Sequence, residues 1–253
     1  RSTRKESSAA SDVYKRQLTA CTTSNNTAVG ASAALSCTSG GNVVAVGLKA
    51  LEAHTTGNHV TAVGSEALKA NTTGGSYTAV GTGALDANTT ADNNTAIGFD
   101  ALGANTTGNH NTVVGVNSSN QITTGSLNTA MGFDSLTRCT TGGSNTCIGK
   151  DAGDNITSGS QNVCIGIDAG TNIAQGDGNI MIGNSAQSAG AASGNCISIG
   201  VGFTTAASNT FSFGKASNVV SNTFTSNATF ARSSDVNKKT NIENTDFGLP
   251  NIN

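Results

Sequence analysis

The stretch from residue 60 to residue 81, VTAVGSEALKANTTGGSYTAVG, decides the fold of this chain. It begins and ends with the same motif, in which a threonine, a small residue and a β-branched residue precede a glycine. Glycines of this kind recur every 17 residues without an insertion, at Gly30, Gly47, Gly64, Gly81, Gly98, Gly115, Gly132, Gly149, Gly166, Gly183 and Gly200. Because an insertion would break the register between stacked units, this strict period predicts a solenoid of eleven 17-residue coils.

The composition favours an all-β chain. Its 253 residues include 32 Gly, one Pro and no Trp, and only 11% are charged. Gly, Asn and Thr, which dominate the repeats, are poor helix formers. Segments such as Ala67 to Ala70 favour helix by propensity, but only about six residues separate the glycine from the next turn, and isolated helices that short are marginal. Two short strands and two turns per coil therefore fit the period better.

Two uncharged rows of side chains precede the glycines. The residue directly before each glycine is aliphatic: Val29, Val46, Val63, Val80, Ile97, Val114, Met131, Ile148, Ile165, Ile182 and Ile199. The residue two places before it is mostly small: Ala28, Ala45, Ala62, Ala79, Ala96, Val113, Ala130, Cys147, Cys164, Met181 and Ser198. Neighbouring side chains on a strand point to opposite faces. We therefore expect the aliphatic row to be a buried strand position, both faces to be covered, and the second dry face to pack against other copies of the chain.

The first 17 residues are expected to contribute nothing to the fold. Residues 7–17, SSAASDVYKRQ, resemble the in-frame translation of a transposase adapter used for shotgun sequencing libraries. Residues 1–17 are therefore interpreted as an assembly scar, expected to be disordered, and the natural N-terminus as missing.

Charge and hydropathy exclude two classes of partner. Outside residues 1–17 the acidic residues outnumber the basic ones, and the few Lys and Arg are dispersed. Nucleic-acid binding needs clustered basic residues to displace counterions. No apolar run approaches the ~20 residues that span a bilayer. We therefore expect no nucleic acid, no membrane insertion of this segment and no cofactor.

Cysteines and histidines are interpreted as structural. Cys147 and Cys164 occupy one repeat position in successive coils, close enough for a bridge, but they replace alanines and are expected to pack as small hydrophobic residues. No C-x-x-C pattern suggests zinc. His54, His59 and His110 are expected to be solvated turn residues.

Two further ladders follow from the period. Asp134, Asp151 and Asp168 share one position in three successive coils, so their carboxylates would lie about 5 Å apart and could hold Ca²⁺. Solvated aspartates beside Lys150 are the favoured interpretation, so no metal site is expected. Asparagines four residues before the glycine are expected to form a ladder of stacked amides: Asn94, Asn111, Asn128, Asn145, Asn162 and Asn179.

The repeats resemble two families with the same kind of coil. The N-T-A-V-G and N-x-x-I-G strands, including Asn162 to Gly166 and Asn179 to Gly183, are similar to the left-handed parallel β-roll heads of trimeric autotransporter adhesins and to the repeats of phage tail fibres. The resemblance covers most of residues 18–214. It implies a homotrimer that binds a glycan or protein on a host cell surface.

The C-terminus resembles the start of another domain. Residues 234–242, SDVNKKTNI, followed by Asp246 to Leu249, are similar to the opening of the self-cleaving intramolecular chaperone of phage tail spikes and tail fibres. That resemblance implies a serine and a lysine five residues on as the cleavage pair, here Ser234 and Lys239, with scission between Ser234 and Asp235. Asn237 and Lys238 depart from the Arg-Leu of the family pattern.

The expected organisation has four parts: residues 1–17, a β-roll rod over 18–204, a neck over 205–231, and a truncated chaperone start over 232–253. The expected function is a viral tail fibre for host attachment, located in the virion, inert as an enzyme in this segment but self-cleaving in a longer product. The alternative is a bacterial surface adhesin head. A polysaccharide lyase on a β-solenoid is disfavoured, because the repeats offer few cations beyond Lys49, Lys69, Arg138 and Lys150.

Overall fold

The computed structural model of the chain describes residues 21–23, 25–223 and 231–233. No helix occurs among them, so the predicted all-β class is confirmed. Fourteen strands lie in one sheet in sequence order: β1 (Thr27–Val29), β2 (Val43–Val46), β3 (Val60–Val63), β4 (Tyr77–Val80), β5 (Thr95–Ile97), β6 (Thr112–Val114), β7 (Thr129–Met131), β8 (Thr146–Ile148), β9 (Val163–Ile165), β10 (Ile180–Ile182), β11 (Ile197–Val201), β12 (Thr210–Lys215), β13 (Asn218–Thr223) and β14 (Ala231–Ser233).

Strands β1 to β12 are parallel, and each pairs with the next. The register of β1 to β11 matches the 17-residue period, so that Ala62 faces Ala79 and Val63 faces Val80. The chain therefore winds into a β-solenoid of about eleven coils, as predicted. Parallel strands lie about 4.8 Å apart, which makes the rod roughly 50 Å long.

Each coil contains one strand instead of the predicted two. Three positions per coil have left-handed backbone torsion: in the coil of Gly64 these are His59 (φ 59°), Glu66 (φ 61°) and Leu68 (φ 52°). Left-handed residues interrupt an extended backbone, so the second apolar segment forms turns and not a strand. These turns still stack, because Leu68 donates its N–H to the Ala84 carbonyl of the next coil at 3.0 Å.

The small residues, and not the aliphatic ones, line the interior. Ala62, Ala79 and Ala96 are fully buried, whereas Ile97 is 39% exposed and Val29 is 51% exposed. The expectation that the aliphatic row is buried is therefore wrong for a single chain. The physical reason is space, since the opposite wall of the coil inserts large side chains toward the alanines: Leu51, Leu68, Leu85, Leu102 and Leu136, all fully buried.

In two coils a larger side chain at one core position is matched by a smaller one at another, so the core volume is conserved. Where Cys147 and Cys164 replace the inner alanine, Gly153 and Gly170 replace the leucine. A Cβ atom added at Gly153 would lie 2.6 Å from Cys147 Sγ, so glycine makes room for the larger thiol. Close packing of this kind is typical of protein interiors, which leave few voids.

The 17-residue glycines form a column that sets how closely the coils stack. Gly115 has φ 144°, and a Cβ atom added there would lie 2.2 Å from the Gly132 carbonyl oxygen. The column continues the sheet past the strand ends, since Gly132 donates its N–H to the Val114 carbonyl at 2.8 Å. Glycine is required here by both torsion and contact.

The predicted asparagine ladder is confirmed inside the rod. Asn128 donates from Nδ2 to the Gly142 carbonyl at 3.0 Å, and its Oδ1 accepts the backbone N–H of Asn145 at 3.0 Å. The same bonds recur from coil to coil at Asn94, Asn111, Asn145, Asn162 and Asn179. These fully buried amides satisfy backbone groups that turn into the core, as burial of polar groups requires.

The two ends of the described rod differ from its middle. Cys21 and Cys37 form a disulfide at a sequence separation of 16, which was not predicted. At the other end Gly200 faces Gly214, so β12 joins the parallel stack after a shorter step of 14 residues. β13 and β14 then add antiparallel to it, within and beside the predicted neck.

Candidate interaction surfaces

The predicted cleavage pair lies outside the described residues. Ser234 and Lys239 therefore remain predictions from the resemblance.

The aspartate ladder has a backbone explanation. Asp134, Asp151 and Asp168 occupy a left-handed position, with φ of 52°, 55° and 55°. Asp and Asn are enriched in this conformation, and other coils place Asn117 or Gly83 there. Asp151 is also paired with Lys150, and this hydrogen bond raises the pKa of the lysine. Among residues 21–23, 25–223 and 231–233 no three His, Cys, Asp or Glu side chains are grouped so that they could hold a metal ion.

The prediction for the histidines is correct for two and wrong for one. His59 and His110 are exposed in turns. His54 is fully buried: its Nδ1 lies 2.7 Å from Asn71 Oδ1 and its Nε2 lies 2.9 Å from the Gly57 carbonyl oxygen. The reason is its position in the coil, seven residues after the glycine, which points into the core.

A column of buried polar side chains continues from His54 through the N-terminal half of the rod. Asn105 donates to Asn88 Oδ1 at 2.9 Å, and Asn88 donates to the Tyr77 hydroxyl at 2.8 Å. Burial raises the pKa of Tyr77 to about 12, so its hydroxyl stays protonated at neutral pH. In the later coils the same column is apolar or a thiol: Ile122, Cys139, Ile156 and Ile173.

The free cysteines pack in the core, as expected. Cys139, Cys147, Cys164 and Cys196 are buried, and Cys147 faces Cys164 in the parallel register without a bridge. Burial raises the pKa of Cys139 to about 11, and the Cys164 thiol, together with burial, raises the pKa of Cys147.

These thiols should resist alkylation in the folded protein. At pH 8 a free thiol of ordinary pKa is partly ionised and reacts with iodoacetamide, whereas a raised pKa keeps Cys139 and Cys147 as protonated thiols. We expect at least a hundredfold slower labelling of these two sites than in guanidinium, as measured by peptide mass spectrometry. Equal labelling rates in the two conditions would contradict the buried positions.

The most extensive exposed feature is an apolar face beside the glycine column. We define the outer apolar face as the aliphatic row before the glycines together with the large residues directly after them: Leu48, Phe99, Val116, Phe133, Ile167 and Val201. Phe99 is 50% exposed and Met131 is 44% exposed. Lys150 interrupts this face, and Asp151 partly offsets its charge. The sequence-based prediction missed the second row, although its recurrence after the glycine was a readable signal.

Outside this face the surface is mostly polar, although Leu127 is 60% exposed, and two depressions on it have a well-defined lining. One, of about 330 Å³, is lined by Asp86, Asp100 and Asn120, and burial followed by the charge of Asp100 raises the pKa of Asp86. The other, of about 480 Å³, lies at the turn before the strands and is lined by residues such as His59, Ser76 and Asp92. We call this second depression the turn groove.

The fold and these surfaces define a repetitive β-solenoid rod with one apolar side. Comparison with protein-family models, with curated proteins and with solved structures found no match to this chain. In the part of the chain that the structure describes, no helix is long and apolar enough to cross a membrane.

Proposed function

We propose that this chain is a rod segment of a homotrimeric viral tail fibre that attaches the virion to a glycan or protein on its host cell. The observation that supports this proposal is the outer apolar face, which the chain itself does not cover. Soluble monomers rarely expose long apolar patches, and patches beyond a few hundred Å² mark interaction sites.

A second copy of the same chain suits this face better than an unrelated partner. The outer apolar faces of two copies are uncharged along nearly the whole rod, and the rows of side chains on each face repeat about every 4.8 Å. A rotation axis parallel to the rod brings each coil of one copy against the equivalent coil of another, so the entire face is covered by one symmetry operation. Three copies is the number that the resemblance to fibres and adhesin heads implies.

The energetic case is that a coil this thin buries few large side chains on its own. Most coils contribute an alanine or thiol, one leucine or isoleucine and polar residues to the interior. Burying the exposed part of a residue such as Ile97 or Phe99, which is about half of the side chain, would contribute roughly 1 kcal/mol each. Assembly would thus supply much of the stability that a small core lacks.

The alternative is the head of a bacterial surface adhesin, which would use the same rod. The C-terminal resemblance favours the fibre. In a product that continues past residue 253, Ser234 would act as nucleophile and Lys239 as its base, since a hydroxyl needs a neighbouring base and a desolvated lysine can serve. A single uncleaved band for that longer product, unchanged by Ser234→Ala, would favour the adhesin.

Sedimentation of two matched variants tests assembly. Phe99→Asp places a charge at the centre of the outer apolar face, and a buried unpaired charge is strongly unfavourable. We expect it to shift the chain from trimer to monomer at micromolar concentration with little change in far-UV circular dichroism. Thr107→Asp adds the same charge to an exposed polar turn of the same coil and should leave the trimer intact.

A wild-type chain that sediments at its single-chain mass of 25.0 kDa at every concentration would overturn this proposal. So would a Phe99→Asp variant that remains trimeric.

A further inference from the structure

A ladder of side-chain oxygens ties the coils together at the turn before the strands. Six residues before the column glycine, a side-chain oxygen accepts the backbone N–H of the same position in the preceding coil. Asp92 Oδ1 accepts from Gly75 at 2.8 Å, Asn109 Oδ1 accepts from Asp92 at 2.6 Å, and Ser126 Oγ accepts from Asn109 at 3.0 Å. Asn58 Oδ1 accepts in the same way from Gly41 at 2.8 Å.

The ladder is interrupted at Gly75, Gly143 and Gly194, which have no side-chain oxygen to offer, and only the interruption at Gly75 lies in the turn groove. The backbone N–H of Asn58 consequently has no hydrogen-bond partner among the described residues. A Cβ atom added at Gly75 would lie 2.7 Å from the Asn58 carbonyl oxygen and 3.2 Å from the Asn58 nitrogen. That first distance is too short for an ordinary contact, so the turn is drawn in at Gly75, and the space beside the Asn58 N–H, where other coils place a side-chain oxygen, holds no side chain.

This space is part of the turn groove, whose frame is fixed by the coil stacking. His59 donates its N–H to the Gly41 carbonyl at 3.1 Å, Ser76 to Asn58 at 2.9 Å, and Asn93 to Gly75 at 3.2 Å. The groove thus has backbone walls held by hydrogen bonds from three coils. A site of this kind needs little reorganisation to bind a ligand, which favours affinity.

The groups that face the groove restrict what it can bind. The His59 ring, the Ser76 hydroxyl and the second carboxylate oxygen of Asp92 have no protein partner among the described residues. No Lys or Arg lines the groove, so an anion would meet only the repulsion of Asp92. One carboxylate with one imidazole falls short of a metal site, and the scarcity of apolar side chains gives a hydrophobic side chain nothing to contact.

We propose that the turn groove is a binding site for a neutral saccharide. A hydroxyl or ring oxygen of the sugar takes the place of the missing side-chain oxygen and accepts the Asn58 N–H. Neighbouring hydroxyls donate to Asp92 and exchange hydrogen bonds with Ser76 and the His59 ring, and bonds to the charged carboxylate are the strongest of these. The biological setting of this site, a glycan on the host cell, rests on the proposed attachment function.

The test is saturation-transfer NMR on the full chain with the methyl glycosides of glucose, galactose, mannose and N-acetylglucosamine. Gly75→Ser supplies the missing oxygen from the chain itself and fills the groove, and serine is tolerated at the same position in Ser126 and Ser160. We expect saturation transfer from the wild type to at least one glycoside, and about tenfold or greater loss of affinity in Gly75→Ser.

Matched controls separate the groove from the rest of the rod. Gly143→Ser makes the same chemical change at the equivalent position four coils away and should keep the wild-type affinity. His59→Ala should weaken binding severalfold, whereas His110→Ala, at the same coil position three coils away, should not.

Two results would overturn this proposal: no saturation transfer to any of the four glycosides, or equal transfer from wild type and Gly75→Ser. Sedimentation of the same samples distinguishes this failure from failure of the fibre, since Gly75 and His59 lie outside the outer apolar face. A trimer that binds no glycoside contradicts the groove alone, and a monomer that binds one contradicts only the assembly.

Discussion

Gly115→Val is expected to lower the thermal midpoint of the rod by about 10 °C or more. The valine would have to adopt φ near 144° and place its Cβ atom 2.2 Å from the Gly132 carbonyl oxygen. Holding a residue other than glycine at this torsion alone costs about 1–3 kcal/mol. Forcing adjacent coils apart adds to it, and a total of about 3–5 kcal/mol is in the range of the most damaging single substitutions.

Gly103→Ala is the matched control for this prediction. Gly103 lies in the neighbouring coil segment, and a Cβ atom there would be no closer than 3.5 Å to any atom outside its chain neighbours. Its thermal midpoint, followed by far-UV circular dichroism, should stay within about 2 °C of the wild type. An equal loss in both variants would mean that glycine is needed only for chain flexibility and not for the contact between coils.

Asn128→Val is expected to be about as damaging, although valine resembles asparagine in size. The substitution removes the acceptor of the Asn145 N–H and the donor to the Gly142 carbonyl, and leaves both groups buried without partners. Each unsatisfied buried group costs about 1–3 kcal/mol, so a loss of about 3 kcal/mol or more follows.

Thr129→Val tests whether this cost arises from burial. Thr129 is the next residue, is half-buried on the outer side of the strand, and its hydroxyl donates no hydrogen bond to the described residues. Its urea midpoint should match that of the wild type, while that of Asn128→Val should fall. A neutral Asn128→Val would show that the ladder contributes nothing to coil stacking.

The solenoid architecture could be predicted from the sequence because the residues that determine it recur at a fixed interval. Glycines at intervals of 17 residues, and asparagines four places before them, each act between equivalent positions of adjacent coils, so the period alone reveals their role. The glycine column and the asparagine ladder therefore behave as the sequence predicts.

The orientation of the strands was not predictable from the same pattern. The alanine row and the aliphatic row are both uncharged, and hydrophobicity assigns the larger side chains to the interior. The structure reverses this assignment, because the interior at Ala96 is already filled from the opposite wall by residues such as Leu102. Only the width of the coil decides which row is inside, and that width depends on turns whose left-handed positions also include Lys49, Glu66 and Leu68, residue types that do not indicate this torsion.

The candidate sites, like the fold, were predicted only in part from the sequence. His54 was expected in solvent because histidine is polar, whereas its position seven residues after the glycine places it in the core. The turn groove escaped the sequence-based prediction because it depends on a side chain that Gly75 lacks. An absent side chain gives no signal until the neighbouring Asn58 N–H is found without a partner.

Cross-linking between chains tests the central claim, that the outer apolar face joins copies of this chain, most directly. A cysteine at Ile97 should lie beside its counterparts around a shared axis, so a short bis-maleimide should couple pairs of chains into covalent dimers. The native free thiols are buried and should not interfere. A cysteine at Thr107, on the polar side, should give none. Inter-chain products from Ile97→Cys but not from Thr107→Cys are the predicted result, and monomeric bands from both variants would contradict the claim.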